Sequence, residues 1–198
     1  MPFVALRKST GERINIMTVP DPRATIARDD LVCPLCGQPM TVVAGFYRIK
    51  HFRHRSKCET ELQGHPETVE HMVTKWMISE IIRDEYAARG IPLKSIDFEV
   101  PFFECNRIAD VVVSFETGAV EVHEIQLAPI TTESLADRTN DYFSAGASVV
   151  WWLGRSADTN NNRAWCLTNF GECRFLPMRF TFASEPNAIQ YTSDFDAG

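Results

Sequence analysis

Two apolar runs near the middle of the chain, Val111-Val-Val113 and Val120-Glu-Val-His-Glu-Ile125, have strand length and strand composition, and each has an acid at one end. The pattern around them predicts strands at about 96–104, 107–115 and 119–126, the last two joined by the hairpin-like turn Glu116-Thr-Gly118. Upstream, Val69, Met72, Val73, Trp76 and Met77 recur at helical spacing. Pro66 suits the first turn of that helix, and Gly90 with Pro92 beyond it marks the end. Glu67, Glu70, His71 and Thr74 occupy its other side at i, i+3, i+4 and i+7, with Glu70 nearest the apolar border and therefore half buried. Downstream, residues 131–145 read as a second helix, opened by Thr131 and Thr132 and closed by Gly146, and Ser148-Val-Val-Trp-Trp-Leu153 as a buried strand. Helix, three strands, helix, strand is an α/β order.

The flanks are weaker. Residues 1–30 offer short strands, Phe3–Leu6 and Ile14–Ile16, broken by Thr10-Gly11 and Val19-Pro-Asp-Pro22, and read as a lead-in. Residues 31–60 are poor in long apolar patterns but rich in cysteine and histidine, as in a module stapled by a metal. Residues 164–182 suggest a few short strands, and the polar, acidic stretch from Ser184 to Gly198 a loose tail. The division expected is an N-terminal module over 1–60, a main domain over 61–183 and a tail over 184–198.

Composition adds limits. With 198 residues and 44% apolar content the chain can bury one core of ordinary size, and a net charge of −6 argues against nonspecific coating of nucleic acid. The average hides Arg48, Lys50, Arg53, Arg55 and Lys57, which fall in ten residues without an acid and suit a phosphate backbone or simply a solvated face. No signal-peptide pattern opens the chain and no apolar run is long enough to span a membrane, so a soluble, cytoplasmic protein is expected. Six cysteines with one close pair fit a reducing compartment, with Cys105, Cys166 and Cys173 as small core residues.

The candidate chemistry lies in two places. An acid set among buried strands must be paired, protonated or bound to a metal, and Asp110 and Glu124 together suit a hard divalent ion such as Mg²⁺; the plainer reading is a pair of solvated strand-end acids. Cys33-x2-Cys36 is a knuckle spacing, and His51, His54 and Cys58 follow it. Five candidates compete for four places on a structural Zn²⁺. His54 and Cys58 fit best as the second pair, with His51 the alternative.

Cys33-Pro-Leu-Cys36, His51-Phe-Arg-His54, Glu67-Thr-Val-Glu70-His71 followed by Lys75, Ile108-Ala-Asp110, Glu124-Ile-Gln126 with Pro129, Arg138-Thr-x-x-Tyr142 and Val149-Val-Trp-Trp-Leu-Gly154 stand in an order that resembles the competence protein CoiA-like family. The resemblance implies a zinc-ribbon-like N-terminal segment and a PD-(D/E)XK restriction-endonuclease-like domain, a mixed sheet flanked by helices. It covers roughly residues 1–155. Two departures stand out: better-known members continue well past the nuclease core, and Gln126 occupies the place where the wider superfamily carries lysine, although the CoiA-like family itself has glutamine there.

The resemblance implies a Mg²⁺- or Mn²⁺-dependent nuclease acting on DNA, with Asp110 and Glu124 as metal ligands and Glu70 supporting them. Gln126 would orient a water or phosphate. Lys75 either supplies the missing cation from the helix or is a solvated lysine. His71 would touch substrate or bond Glu124, Arg138 would bind phosphate or pin an active-site carboxylate, and Tyr142 would bind substrate or pack in the core. A catalytically silent binding module that kept the fold, or an adaptor whose zinc segment meets a protein partner, remain the competing classes, and the sequence does not fix DNA against RNA or the oligomeric state.

Overall fold

Strand β7 (Arg107–Phe115) and strand β8 (Val120–Gln126) are the centre from which the rest is built. The computed structural model describes residues 2–45, 48–58, 60, 68–176, 178–182 and 189–193; Pro66 and Glu67 lie outside them. In chain order the elements before the centre are β1 (Val4–Arg7), β2 (Arg13–Asn15), α1 (Pro22–Thr25), β3 (Leu31–Val32), β4 (Met40–Gly45), β5 (Arg48–His54), α2 (Val69–Ala88) and β6 (Leu93–Phe102). After it come α3 (Thr132–Ser144), β9 (Ser148–Leu153), α4 (Asn160–Phe170), β10 (Arg174–Phe175), β11 (Met178–Phe182) and β12 (Ile189–Ser193).

Five strands form the central sheet in the order β10-β9-β8-β7-β6. β6, β7 and β8 are an antiparallel meander, whereas β8, β9 and β10 are parallel and joined through α3 and α4. With α2 before the meander, this is the mixed central sheet flanked by helices that the sequence order suggests. Thr68 caps α2 by accepting the His71 amide, and Thr131 caps α3 by accepting that of Ser134. Gly154 lets the end of β9 approach β8: its amide donates to the Gln126 carbonyl at 2.8 Å, and a Cβ there would stand 2.9 Å from Leu127 Cδ2.

Each face of the sheet has its own core. On one, α2 contributes Met72, Ile78 and Ile82 to a cluster that also holds Phe98, Val111, Val113 and Ile125. Phe3, Ile16, Met40 and Phe52 belong to the same cluster, so residues 1–30 are more than a lead-in. They supply β1 and β2, which with β3 make a three-stranded sheet built into the main core. On the other face, Leu135 and Tyr142 of α3 and Cys166 of α4 pack with Ala109, Val112, Val122, Val149, Trp151 and Leu153.

Three expectations fail here. Residues 160–170 are a helix, not a strand: Thr159 caps it and Gly171, at φ 74°, closes it, and these end signals outweigh the strand-like Trp165-Cys-Leu167. Within the supposed tail, Ile189–Ser193 pairs antiparallel with Met178–Phe182; the rest of 184–198 lies outside the described residues. The polar arc of α2 is largely buried, His71, Thr74, Lys75 and Ser79 included, because the N-terminal strands and the sheet both pack against that helix.

Candidate active site

β7 and β8 pair in regular register only as far as Val111↔His123. β8 continues to Gln126 on β9 alone, through Glu124↔Trp151 and Gln126↔Leu153. The Ile125 N–H, which a continued ladder would give to a β7 carbonyl, goes instead to Asp110 Oδ2 at 2.9 Å. His71 Nε2 lies 3.2 Å from the same oxygen and 3.1 Å from the Ile125 carbonyl. A carbonyl can only accept, so Nε2 carries the proton. Burial pushes the Asp110 carboxyl up, but His71, the Lys75 charge and the Ile125 amide together hold it well below the usual range. Among the described residues both contacts to the Asp110 carboxylate go to Oδ2 and none to Oδ1.

Glu124 faces α3. It is wholly buried, Tyr142 donates its hydroxyl to Oε1 at 2.7 Å, and Arg138 forms a salt bridge with Oε2. Arg138 also donates to Gln126 Oε1 at 3.1 Å and lies 4.9 Å from the centre of the Trp151 ring. Gln126 Nε2 donates to the Ala128 carbonyl at 2.8 Å, so both ends of its amide are engaged. Burial first, with the negative charge of Asp110 adding to it, pushes the Tyr142 hydroxyl up, and burial with the nearby Arg107 charge draws the Arg138 guanidinium down. Of the two roles open to Arg138, this geometry has it pinning a carboxylate.

The other predicted residues divide. His71 meets Asp110 rather than Glu124. Lys75 is not solvated: it has no exposed surface, and its ammonium donates to Glu99 Oε1 at 2.8 Å. Glu70 is exposed, not half buried, because it sits in the first turn of α2 pointing away from the sheet side where His71 and Lys75 lie. Glu99 was missed; its only signal in the sequence is an acid inside a predicted strand.

Cys33, Cys36, His54 and Cys58 place one ligand atom each within 4.8 Å of one another, the one such group of three or more Cys, His, Asp or Glu among the described residues. Cys36 Sγ lies 3.6 Å from His54 Nε2 and 3.5 Å from Cys58 Sγ. Four bonds of about 2.3 Å in a tetrahedron give ligand separations of about 3.8 Å, so the donor set fits zinc in size and kind. The knuckle is shaped by Gly37 at φ 69°, whose amide reaches the Cys33 carbonyl at 3.0 Å. Burial pushes the Cys33 thiol up to about 12, so a metal must displace its proton. His51 is outside the group, buried with Nδ1 2.9 Å from the Ile49 carbonyl.

Of the basic run, Lys50 donates to the Val19 carbonyl and Arg55 pairs with Asp29, while Arg53 and Lys57 are exposed. Arg53 lines a groove with Arg23 and Arg28 from around α1. Among the described residues no helix is long and apolar enough to cross a membrane.

Residues 67–181, more than half of the chain, match the family described as competence protein CoiA, nuclease-like domain. The chain belongs to this family. The matched CoiA-like segment runs from residue 67, just before α2, into β11 and contains Asp110, Glu124 and the residues that hold them. A crystal structure of a repair endonuclease from Pyrococcus abyssi resembles the chain at a TM-score of 0.33 and 18% identity. The alignment covers 59% of this chain and 49% of that one, so the chain spans about half the length of that protein. No curated protein matches.

Proposed function

We propose that this CoiA-like protein is a divalent-metal-dependent nuclease that hydrolyses phosphodiester bonds in DNA, stapled at its N-terminal end by a structural Zn²⁺ on Cys33, Cys36, His54 and Cys58. The observation that carries the reading is the pair of buried carboxylates, Asp110 and Glu124, each neutralised from a different helix at the point where β7 and β8 part. Such charges cost stability unless compensated, and a protein with no use for them does better with apolar residues.

Asp110, through Oδ1, and Glu124 would hold Mg²⁺ or Mn²⁺, ions that take one or two carboxylates and keep several waters. Arg138 and Tyr142 each use one acceptor site per Glu124 oxygen, and each oxygen has another. An ion held there would supply charge neutralisation at a nonbridging phosphate oxygen and a lowered pKa for an attacking water. His71 and the Ile125 amide fix the Asp110 carboxylate, and Gln126 fixes the Arg138 fork that orients Glu124. Lys75 supplies positive charge from the α2 side, in place of the lysine that Gln126 replaces. Glu70, being exposed, serves at most at the rim. The groove of Arg23, Arg28 and Arg53 would carry substrate phosphates, with the zinc module positioning the strand that the carboxylates cut.

One observation favours a second reading. Arg138 already puts a positive charge on Glu124, as in a silent descendant that binds nucleic acid without cutting it. Cleavage of single-stranded, duplex and branched DNA, and of the matching RNAs, is to be measured with Mg²⁺, Mn²⁺ or EDTA. Metal-dependent cleavage of DNA is expected; binding without cleavage of any substrate supports the silent module instead.

A further inference from the structure

β6 and β7 pair through Phe98↔Val111 and Val100↔Ala109, which sets Glu99 opposite Asp110. On either side of that rung the strands change face. Phe98 and Val111 pack in the α2 core, whereas Val100 and Ala109 pack in the α3 core. In a regular strand Phe98 and Glu99 would point to opposite sides of the sheet. Glu99 instead has φ 54°, one of two non-glycine residues in the left-handed region among those described. That conformation is unfavourable for a long side chain and persists only where the surroundings impose it. Its effect is to bring the Glu99 carboxylate to the side where Phe98 already stacks on Trp76 of α2.

What waits on that side is Lys75. Its ammonium, fully buried, takes Glu99 Oε1 at 2.8 Å and lies 5.6 Å from the centre of the Phe3 ring. Lys75 is one helical turn beyond His71, so the two reach the sheet from the same face of α2. Both act on Asp110, His71 by contact and Lys75 through its charge. The Phe3 amide lies 3.0 Å from each oxygen of Glu99, and Arg13 donates to the carbonyls of Phe98 and Glu99 at 2.6 and 3.2 Å. The irregular backbone is therefore braced from β1 and β2.

We propose that Glu99 is a positioning residue for the cleavage reaction, holding the Lys75 ammonium in place on the α2 side of Asp110 so that a fixed positive charge backs that carboxylate. This rests on the nuclease reading. The geometry gives the left-handed rung at Glu99 a purpose: without it β6 would turn the carboxylate that Lys75 contacts away from α2.

A double-mutant cycle on the zinc-loaded chain tests it, with kcat and KM for DNA cleavage measured in Mg²⁺ for wild type, Glu99→Gln, Lys75→Met and the double variant. Glu99→Gln is expected to lower kcat by about 10- to 100-fold with KM within about twofold, since it disturbs preorganised charge and no substrate contact. In the Lys75→Met background the same change is expected to have no further effect on kcat. The double variant, free of both buried charges, keeps the test open should Glu99→Gln not fold by itself, because its comparison with Lys75→Met still decides. Losses that multiply across the cycle, or a lowered melting temperature with kcat unchanged, overturn the proposal and leave Glu99 as a clamp for β1. Wild-type protein that cuts nothing overturns the nuclease reading instead, and this proposal with it.

Discussion

The Cys33–Cys58 cluster and the Asp110–Glu124 pair are both sets of potential metal ligands, but they are assembled in opposite ways. The first is local: two short-range pairs brought together by the β4–β5 hairpin, with four donors facing one another. The second draws on α2, β6, β7, β8 and α3, and its acids are held by protein cations and donors before any ion arrives. A closed tetrahedral set is what structural metal sites look like; carboxylates that keep an open oxygen are what reactive ones need. The difference teaches that repulsion is not the main fact about Asp110 and Glu124. Each already has its partner, so removing an acid does not simply relieve the site: losing Glu124 strands the Arg138 cation, and losing Asp110 leaves the His71 and Ile125 donors without it.

The comparison breaks first at the cysteines. Cys36→Ala is expected to abolish zinc binding, worth about 10 kcal/mol or more to such a module, and to unfold residues 31–58; elemental analysis and hydrogen exchange read both. Unchanged zinc content would remove the cluster from the account. Glu124→Ala should cost about 3–5 kcal/mol in chemical denaturation, because Arg138 is left charged, buried and unpaired, whereas Glu124→Ala with Arg138→Met should recover most of that. Equal stability of Glu124→Ala and wild type would mean the pair is not formed in solution.

Gln126 sharpens the same contrast. Since its amide oxygen accepts from Arg138, Gln126→Lys would set two cations together and is expected to lower stability and cleavage alike, despite restoring the superfamily residue. Gln126→Ala removes one bond to a charged group, a loss of about 1–3 kcal/mol, and slows cleavage accordingly. A fully active Gln126→Lys would show that Arg138 moves away when substrate binds.

The smallest effect belongs to the far end of β8. Burial pushes the Glu121 carboxyl up, but bonds from His123 and Tyr86 outweigh it and hold the group below its ordinary value. A depressed carboxyl contributes stability above its unfolded pKa of about 4.3 and loses it as pH falls through the folded value. Glu121→Gln should flatten the fall of stability below about pH 4 and change cleavage little. An acid limb as steep as that of wild type would contradict the assignment.

How much of this was legible in the sequence follows from the range of the interactions. β7, β8, β9 and α3 announce themselves through strong periodicity and threonine caps, and the zinc ligands through spacing along one hairpin. The α4 helix was obscured because Trp165, Cys166 and Leu167 suit a strand equally well, and only its ends decide. Glu99 was invisible because its meaning depends on a left-handed rung and on Lys75, 24 residues away. Arg138 could be placed on the face of Tyr142, but its choice of Glu124 over phosphate needs the packing of α3 on β8.

The most direct test is DNA cleavage by wild type and Asp110→Asn, each shown to carry one zinc, with and without Mg²⁺. Asn keeps the size of the side chain and can still accept the Ile125 amide, so the fold should survive while an ionic ligand is lost. Wild type is expected to cut only with Mg²⁺, and Asp110→Asn to lose at least about a thousandfold in rate, more than 4 kcal/mol of transition-state stabilisation. Equal cleavage by the two proteins would contradict the assignment of the reaction to the carboxylate site.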